Sequence, residues 1–283
     1  MGKRHLGCAL LVLLHAAPLR AEPAPPAAAG ETSMAEPAPT LRLGWLGDGA
    51  TLGLATAALG LATLIPVDTD SRWRTQLLPI DDHLKGRYSA RASQISDVLV
   101  GIDVAVPVGL FAGRGFDRET GKRVAVYGET LLVSLALDSL VKPLVSRPRP
   151  YVYSNDPAVA AYAASAGEDA HLSFYSRHSA TTFCASVAGA YLYAQSTSDT
   201  NARAAVWGTE LALAGATADL RTRAGKHFYS DVLVGATVGA GLGALIPYLH
   251  GGPKVHLSKL ERLAIILGPL VGVAVGELLP VGG

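Results

Sequence analysis

Residues 124–150 read VAVYGETLLVSLALDSLVKPLVSRPRP, an apolar run that ends in a basic tail punctuated by prolines. The run is too long for an ordinary strand, and its Leu and Ala content favours helix. It predicts a helix over 124–145, after which Pro148 and Pro150 forbid continuation because proline lacks the amide donor and clashes with the preceding turn. Working outward, comparable runs recur at 49–66, 97–113, 179–195, 204–219, 231–249 and 260–280. Together they predict an all-α fold, a bundle of six or seven helices. Frequent Gly and Ala let the helix backbones approach closely. Asp103, Glu129, Asp138, Glu210 and Asp219 fall inside these runs. A carboxylate in lipid costs roughly 2.5–3.5 kcal/mol, so these side chains are expected to face a polar interior or water. Polar stretches at 68–91, 113–123, 147–173 and 220–230 read as loops.

The chain has 283 residues and a formal net charge of +1, which suits one large domain and excludes a general nucleic-acid surface, so any electropositive feature must be local. Hydrophobic residues make up 49% and the mean hydropathy is +0.30, between soluble domains and polytopic membrane proteins. Met1 to His5 is basic, Leu6 to Leu14 is apolar, and small residues lead to Arg20-Ala21-Glu22. This pattern predicts a secretory signal peptide over 1–21, too short for a comfortable membrane span. Residues 22–40, rich in Pro and Ala, read as a flexible leader, and the helical domain as 41–283. Cys8 would leave with the signal and Cys184 would stand alone, so the mature chain has no intrachain disulfide or Cys-based zinc site. The expected location is the cell envelope of a bacterium, membrane-associated or periplasmic.

Three clusters carry chemistry. The first holds Lys142, Arg147 and Arg149, cations held extended by prolines and suited to a phosphate, although such a run also orients membrane proteins. The second is Phe174-Tyr175-Ser176-Arg177-His178-Ser179, where Ser176 is a natural N-cap and the amides of a helix start attract anions. A lone histidine such as His178 is more often a capping or solvated side chain. The third runs from Leu220 to Asp231 and places His227 and Asp231 four residues apart. On a helical turn they would share a face, so the carboxylate would accept from one ring nitrogen and free the other, the logic of an activated nucleophile. No His-Glu-x-x-His motif accompanies them, and no metal is assigned to the site.

Together the clusters resemble the type 2 phosphatidic acid phosphatase superfamily, which includes bacterial acid phosphatases and vanadium haloperoxidases. Its pattern is Lys, six residues, Arg-Pro; then Pro-Ser-Gly-His; then Ser-Arg, five residues, His, three residues, Asp. Lys142 with Arg149-Pro150, Ser176 with His178, and Arg221 with His227 and Asp231 fit it in order. Tyr175, Arg177 and Leu220 depart from it, replacing Pro, Gly and Ser. The resemblance implies a helical bundle of that type and a metal-independent phosphomonoester hydrolase without cofactor, acting on a phosphorylated lipid, a pyrophosphate or a small ester. It implies that Lys142, Arg149, Ser176, Arg221 and the amides around Arg177 bind phosphate. It also implies that His227, held by Asp231, attacks phosphorus to give a phosphohistidine while His178 protonates the leaving alkoxide. The two histidines need opposite protonation states, which predicts a bell-shaped pH profile. Arg177 raises an alternative, a noncatalytic phospholipid-binding relative, since a side chain forced into a left-handed conformation there costs roughly 1–2 kcal/mol. A vanadate-dependent haloperoxidase would use the same pocket. Membrane association is expected, nucleic acid is not, and the site is expected on the extracytoplasmic face. With a cleaved signal, that placement requires an early segment such as 49–66 not to span.

Overall fold

The runs predicted to be helical all are, and their ends follow from local chemistry. The computed structural model describes residues 41–252 and 255–281, so the signal peptide expected over 1–21 and the leader expected over 22–40 lie outside the described residues. The helices are α1 Trp45–Ala62, α2 Ala90–Ala112, α3 Arg118–Val145, α4 Pro157–Ala166, α5 Arg177–Ala194, α6 Thr200–Arg223, α7 Tyr229–Leu249 and α8 Lys259–Leu278. Ser89, Asp117, Asp199 and Ser258 cap the starts of α2, α3, α6 and α8 through side-chain oxygens that accept from backbone amides of the first turn. No strand occurs among the described residues.

One helix was not foreseen. The ten-residue α4 lies inside 147–173, capped by Asp156 and begun by Pro157. Its short run of mostly small residues gives little apolar periodicity, so capping chemistry rather than pattern reveals it.

Glycine sets the packing that positions the site. On α7, Gly235, Gly239 and Gly243 recur every four residues and meet the backbone of α5 at Ser176, Ala180 and Cys184. A Cβ added at Gly235 would stand 2.6 Å from the Ser176 carbonyl oxygen, and one at Gly243 2.7 Å from that of Cys184. Backbone-to-backbone contact therefore brings the start of α7 beside the start of α5, where the Asp231 carbonyl accepts from the Ser176 amide at 3.0 Å. Gly268 and Gly272 seat α8 on the α6 backbone in the same way, and Gly276 faces the Asp219 side chain of α6.

At the end of α3 the chain turns sharply. Ser146 takes the left-handed conformation (φ 48°), and its hydroxyl donates to the Pro143 carbonyl at 2.6 Å and accepts from the Asp68 amide at 2.9 Å. The turn sends 147–150 back across the bundle end. All five acids noted within the apolar runs are buried, so none is presented to lipid. Asp103, for instance, accepts from the Ser186 hydroxyl at 3.1 Å. Three helical stretches, Ala90–Ala112, Arg118–Tyr153 and Tyr229–Leu249, are long and apolar enough to cross a membrane. The first apolar segment, α1, is not among them.

Candidate active site: an anion pocket at one end of the bundle

A cavity of about 360 Å³ opens where α2, α5 and α7 begin and α3 and α6 end, with Lys142, Arg149, Arg177, Arg221, Lys226 and His178 in its wall. Lys142 is buried in the last turn of α3, and its ammonium donates to the carbonyls of Leu172 at 2.9 Å and Tyr175 at 2.8 Å. Arg149 donates to the Asp169 carboxylate and carbonyl, both at 2.8 Å, and its Nη1 lies 3.5 Å from Nε2 of His227. Arg221 donates to Ser96 Oγ at 3.1 Å and Asp97 Oδ1 at 3.3 Å, while its buried Nε has no partner among the described residues. The same Asp97 oxygen lies 2.7 Å from His178 Nε2. The amides of Arg177 and His178, at the start of α5, carry no described hydrogen bond, as suits an anion-binding helix end.

His227 is wholly buried, and its Nδ1 lies 2.7 Å from the Ser173 carbonyl oxygen. A carbonyl only accepts, so Nδ1 is assigned the proton and Nε2 the lone pair, on the Arg149 side. Burial, reinforced by Lys142, Arg149 and Arg221, holds this ring well below the usual histidine range, so it is neutral at pH 7. Burial and then Arg221 push His178 down to about 4, against the opposing pull of Asp97. Burial and then Arg149 lower Lys226 to about 8.

Four sequence expectations need correction or refinement. Asp231 does not hold the His227 ring directly. Its Oδ2 accepts from Ser173 Oγ at 2.6 Å and from the Phe228 amide at 2.8 Å, while Oδ1 pairs with Arg147. The reason is that α7 begins at Tyr229, so His227 lies ahead of the helix and the helical four-residue relation does not apply. Asp231 instead caps α7 and fixes Ser173, whose carbonyl holds the ring. Arg147, read as one of three cations suited to a phosphate, is turned inward. It is buried over the Phe228 ring and donates to Asp81 Oδ2 at 2.8 Å, Ser230 Oγ at 2.7 Å and Asp231. Ser176, expected to bind phosphate, is fully buried and its hydroxyl is committed to the cap, accepting from the Ser179 amide at 3.3 Å and the Ser179 hydroxyl at 3.0 Å. Arg177 has no left-handed backbone, because it is the first residue of α5, so the feared strain is absent. Its guanidinium donates to Asp138 Oδ2 at 2.6 Å and Ser139 Oγ at 3.2 Å.

Sequence reasoning missed Asp97, Asp169 and Lys226. Nothing in the spacing marks Asp97 or Asp169, which arrive from α2 and from the turn after α4. Lys226, next to His227 in a cluster already noted, was detectable as a further cation.

The family model for the PAP2 superfamily matches residues 123–253, which include every motif position from Lys142 to Asp231. No curated protein and no solved structure matches the chain. The match supports the PAP2 superfamily for this helical region, and phosphatase-type chemistry is the activity members of that superfamily mostly share.

Proposed function

We propose that this chain hydrolyses phosphate monoesters through a phosphohistidine formed on His227. The observation that carries the reading is the orientation of that ring. Its proton is held at Nδ1 by the Ser173 carbonyl, and its free Nε2 stands 3.5 Å from Arg149. A phosphoryl group in the cavity would compete with Asp169 and Asp97 for Arg149 and Arg221, while Lys142 and the amides of Arg177 and His178 stabilise the charge that spreads over its oxygens. His227 Nε2 attacks phosphorus, the bond to the leaving oxygen breaks, and protonated His178 supplies that oxygen with a proton. Neutral His178 then takes a proton from the attacking water as the N–P bond breaks. No step calls for a metal at phosphorus.

The substrate we assign is an amphiphile, a lipid phosphate or pyrophosphate. A second cavity of about 390 Å³ shares Lys142, Leu172 and Arg177 with the anion pocket and continues along Leu59, Ile65, Val67 and Pro143 between α1 and α3. A charged end joined to an apolar trough suits a headgroup followed by a hydrocarbon chain. With α2, α3 and α7 crossing a bilayer, the pocket would lie at one membrane face, proposed as the extracytoplasmic one.

The test is turnover by the purified full chain in detergent, without added metal, of p-nitrophenyl phosphate, phosphatidic acid and an isoprenoid pyrophosphate. Release of phosphate from a lipid substrate, and its loss in His227→Ala, is the expected result. Lipid-phosphate binding without turnover of any substrate would establish the noncatalytic reading instead. Halide oxidation with vanadate would establish the haloperoxidase.

A further inference from the structure

At the other end of the bundle, Asp48 of α1, Glu129 of α3 and His250 at the end of α7 bring one ligand atom each within 4.8 Å of one another. His250 Nε2 lies 3.3 Å from Asp48 Oδ1 and 3.2 Å from Glu129 Oε2. Its Nδ1 is 2.8 Å from the Ile246 carbonyl and so carries a proton, which turns Nε2 towards the two carboxylates. No lysine or arginine pairs with Asp48 or Glu129 among the described residues. Glu129 and His250 are both buried. The arrangement suits a cation. A proton on Nε2 can point along only one of the two N···O lines, whereas a metal ion between the three atoms is coordinated by all of them.

We propose that Asp48, Glu129 and His250 form a divalent transition-metal site, suited to zinc, that clips α1 to α3 and α7. Bonds of about 2.0–2.1 Å at tetrahedral angles place neighbouring ligand atoms about 3.3 Å apart, which matches the two separations at His250 Nε2. One imidazole and two carboxylates, without thiolate, are ligands for zinc or a neighbouring first-row ion, with water completing the shell. The ligands are also held from behind, as metal ligands commonly are. Asp48 Oδ2 accepts from the Gly44 amide at 3.0 Å, and His250 Nδ1 is fixed by Ile246.

The site has a mechanical purpose. Along α1 most side chains are exposed and Ala55 is its buried residue, so apolar packing alone holds the helix weakly. Asp48 is the ionisable side chain of α1, and the neighbouring Arg42 amide already donates to the His250 carbonyl at 2.8 Å. Glu129 precedes Lys142 by 13 positions in α3, about 20 Å along a helix rising 1.5 Å per residue, so the ion does not touch the phosphoryl group.

The test uses the full chain in detergent, loaded with Zn²⁺, desalted and assayed for metal by mass spectrometry alongside thermal unfolding. One equivalent of zinc per chain is expected in the wild type, with far less in His250→Gln and Glu129→Gln. Chelation should lower Tm by about 5 °C in the wild type and leave His250→Gln unmoved. Asp48→Asn, at the edge of the cluster, serves if the buried variants fail to fold, and should lose the zinc while keeping its turnover. Wild-type protein that retains no zinc, variants that retain a full equivalent, or a Tm indifferent to both chelator and zinc would overturn the proposal.

Discussion

The two ends of this bundle share α3 and α7 and carry opposite excesses of charge. Where α3 ends and α7 begins, lysines and arginines crowd one cavity with two carboxylates between them. Where α7 ends, one histidine faces two carboxylates that no lysine or arginine neutralises among the described residues. Burying a charge is costly unless a counter-charge meets it, so a surplus retained at each end marks a place for a ligand of opposite sign. The first suits an anion and the second a cation.

Removing His227, the proposed nucleophile, should break the anion end alone, and with the largest effect. His227→Ala is expected to lower turnover by about a thousandfold or more while leaving zinc content and the helical circular dichroism unchanged. Joint loss of activity and metal would mean that the two ends are not independent.

The next effect concerns stability. Asp231→Asn leaves buried Arg147 with Asp81 as its carboxylate partner and should cost about 3–5 kcal/mol in denaturant unfolding. Ser173→Ala keeps the carbonyl that orients His227 and loses the hydroxyl that ties it to Asp231. It should fold normally and lose about tenfold in kcat. Equal damage from both variants would argue against Asp231 acting through Ser173.

Protons sharpen the comparison next. His178 and His227 have folded values below the ordinary histidine value of 6.5. Between those values the unfolded chain binds more protons than the native one. Their neutral forms therefore contribute stability that is complete above pH 6.5 and is lost as the pH falls, down to about 4 for His178. A fall in Tm between pH 7 and 4.5 that bound vanadate opposes is the expected outcome. The profile of kcat/KM, corrected for substrate ionisation, should peak on the acid side, and a maximum above pH 7.5 would contradict the roles assigned to the two histidines.

The smallest effect is predicted for Arg177→Gly, which restores the residue of the family pattern. Because Arg177 starts a helix and pairs with Asp138, the change should alter kcat/KM by less than tenfold. A gain of a hundredfold would show that the side chain obstructs the pocket.

All the helices but α4 were legible because apolar runs are local, and the positions of Lys142, Arg149, Arg221 and His227 because their spacings match a known pattern. The fate of Arg147 was not. It shares proline-flanked basic surroundings with Arg149, yet the left-handed turn at Ser146 and the buried Asp81 draw it inward. Asp97 was equally silent, since its meeting with His178 and Arg221 depends on how α2 lies against α5 and α6.

By itself, then, the sequence determined where the long helices run and that a cationic, histidine-bearing cluster forms at their junctions, since both depend on residues close together in the chain. Only the tertiary structure decided that Asp231 meets Ser173 rather than the His227 ring, that the Ser176 oxygen accepts within the α5 cap, that Asp97 and Asp169 face the cations, and that Asp48, Glu129 and His250 converge. Those outcomes depend on side-chain direction and on contacts between distant helices, which the packing of backbone on glycine fixes and the spacing of residues does not.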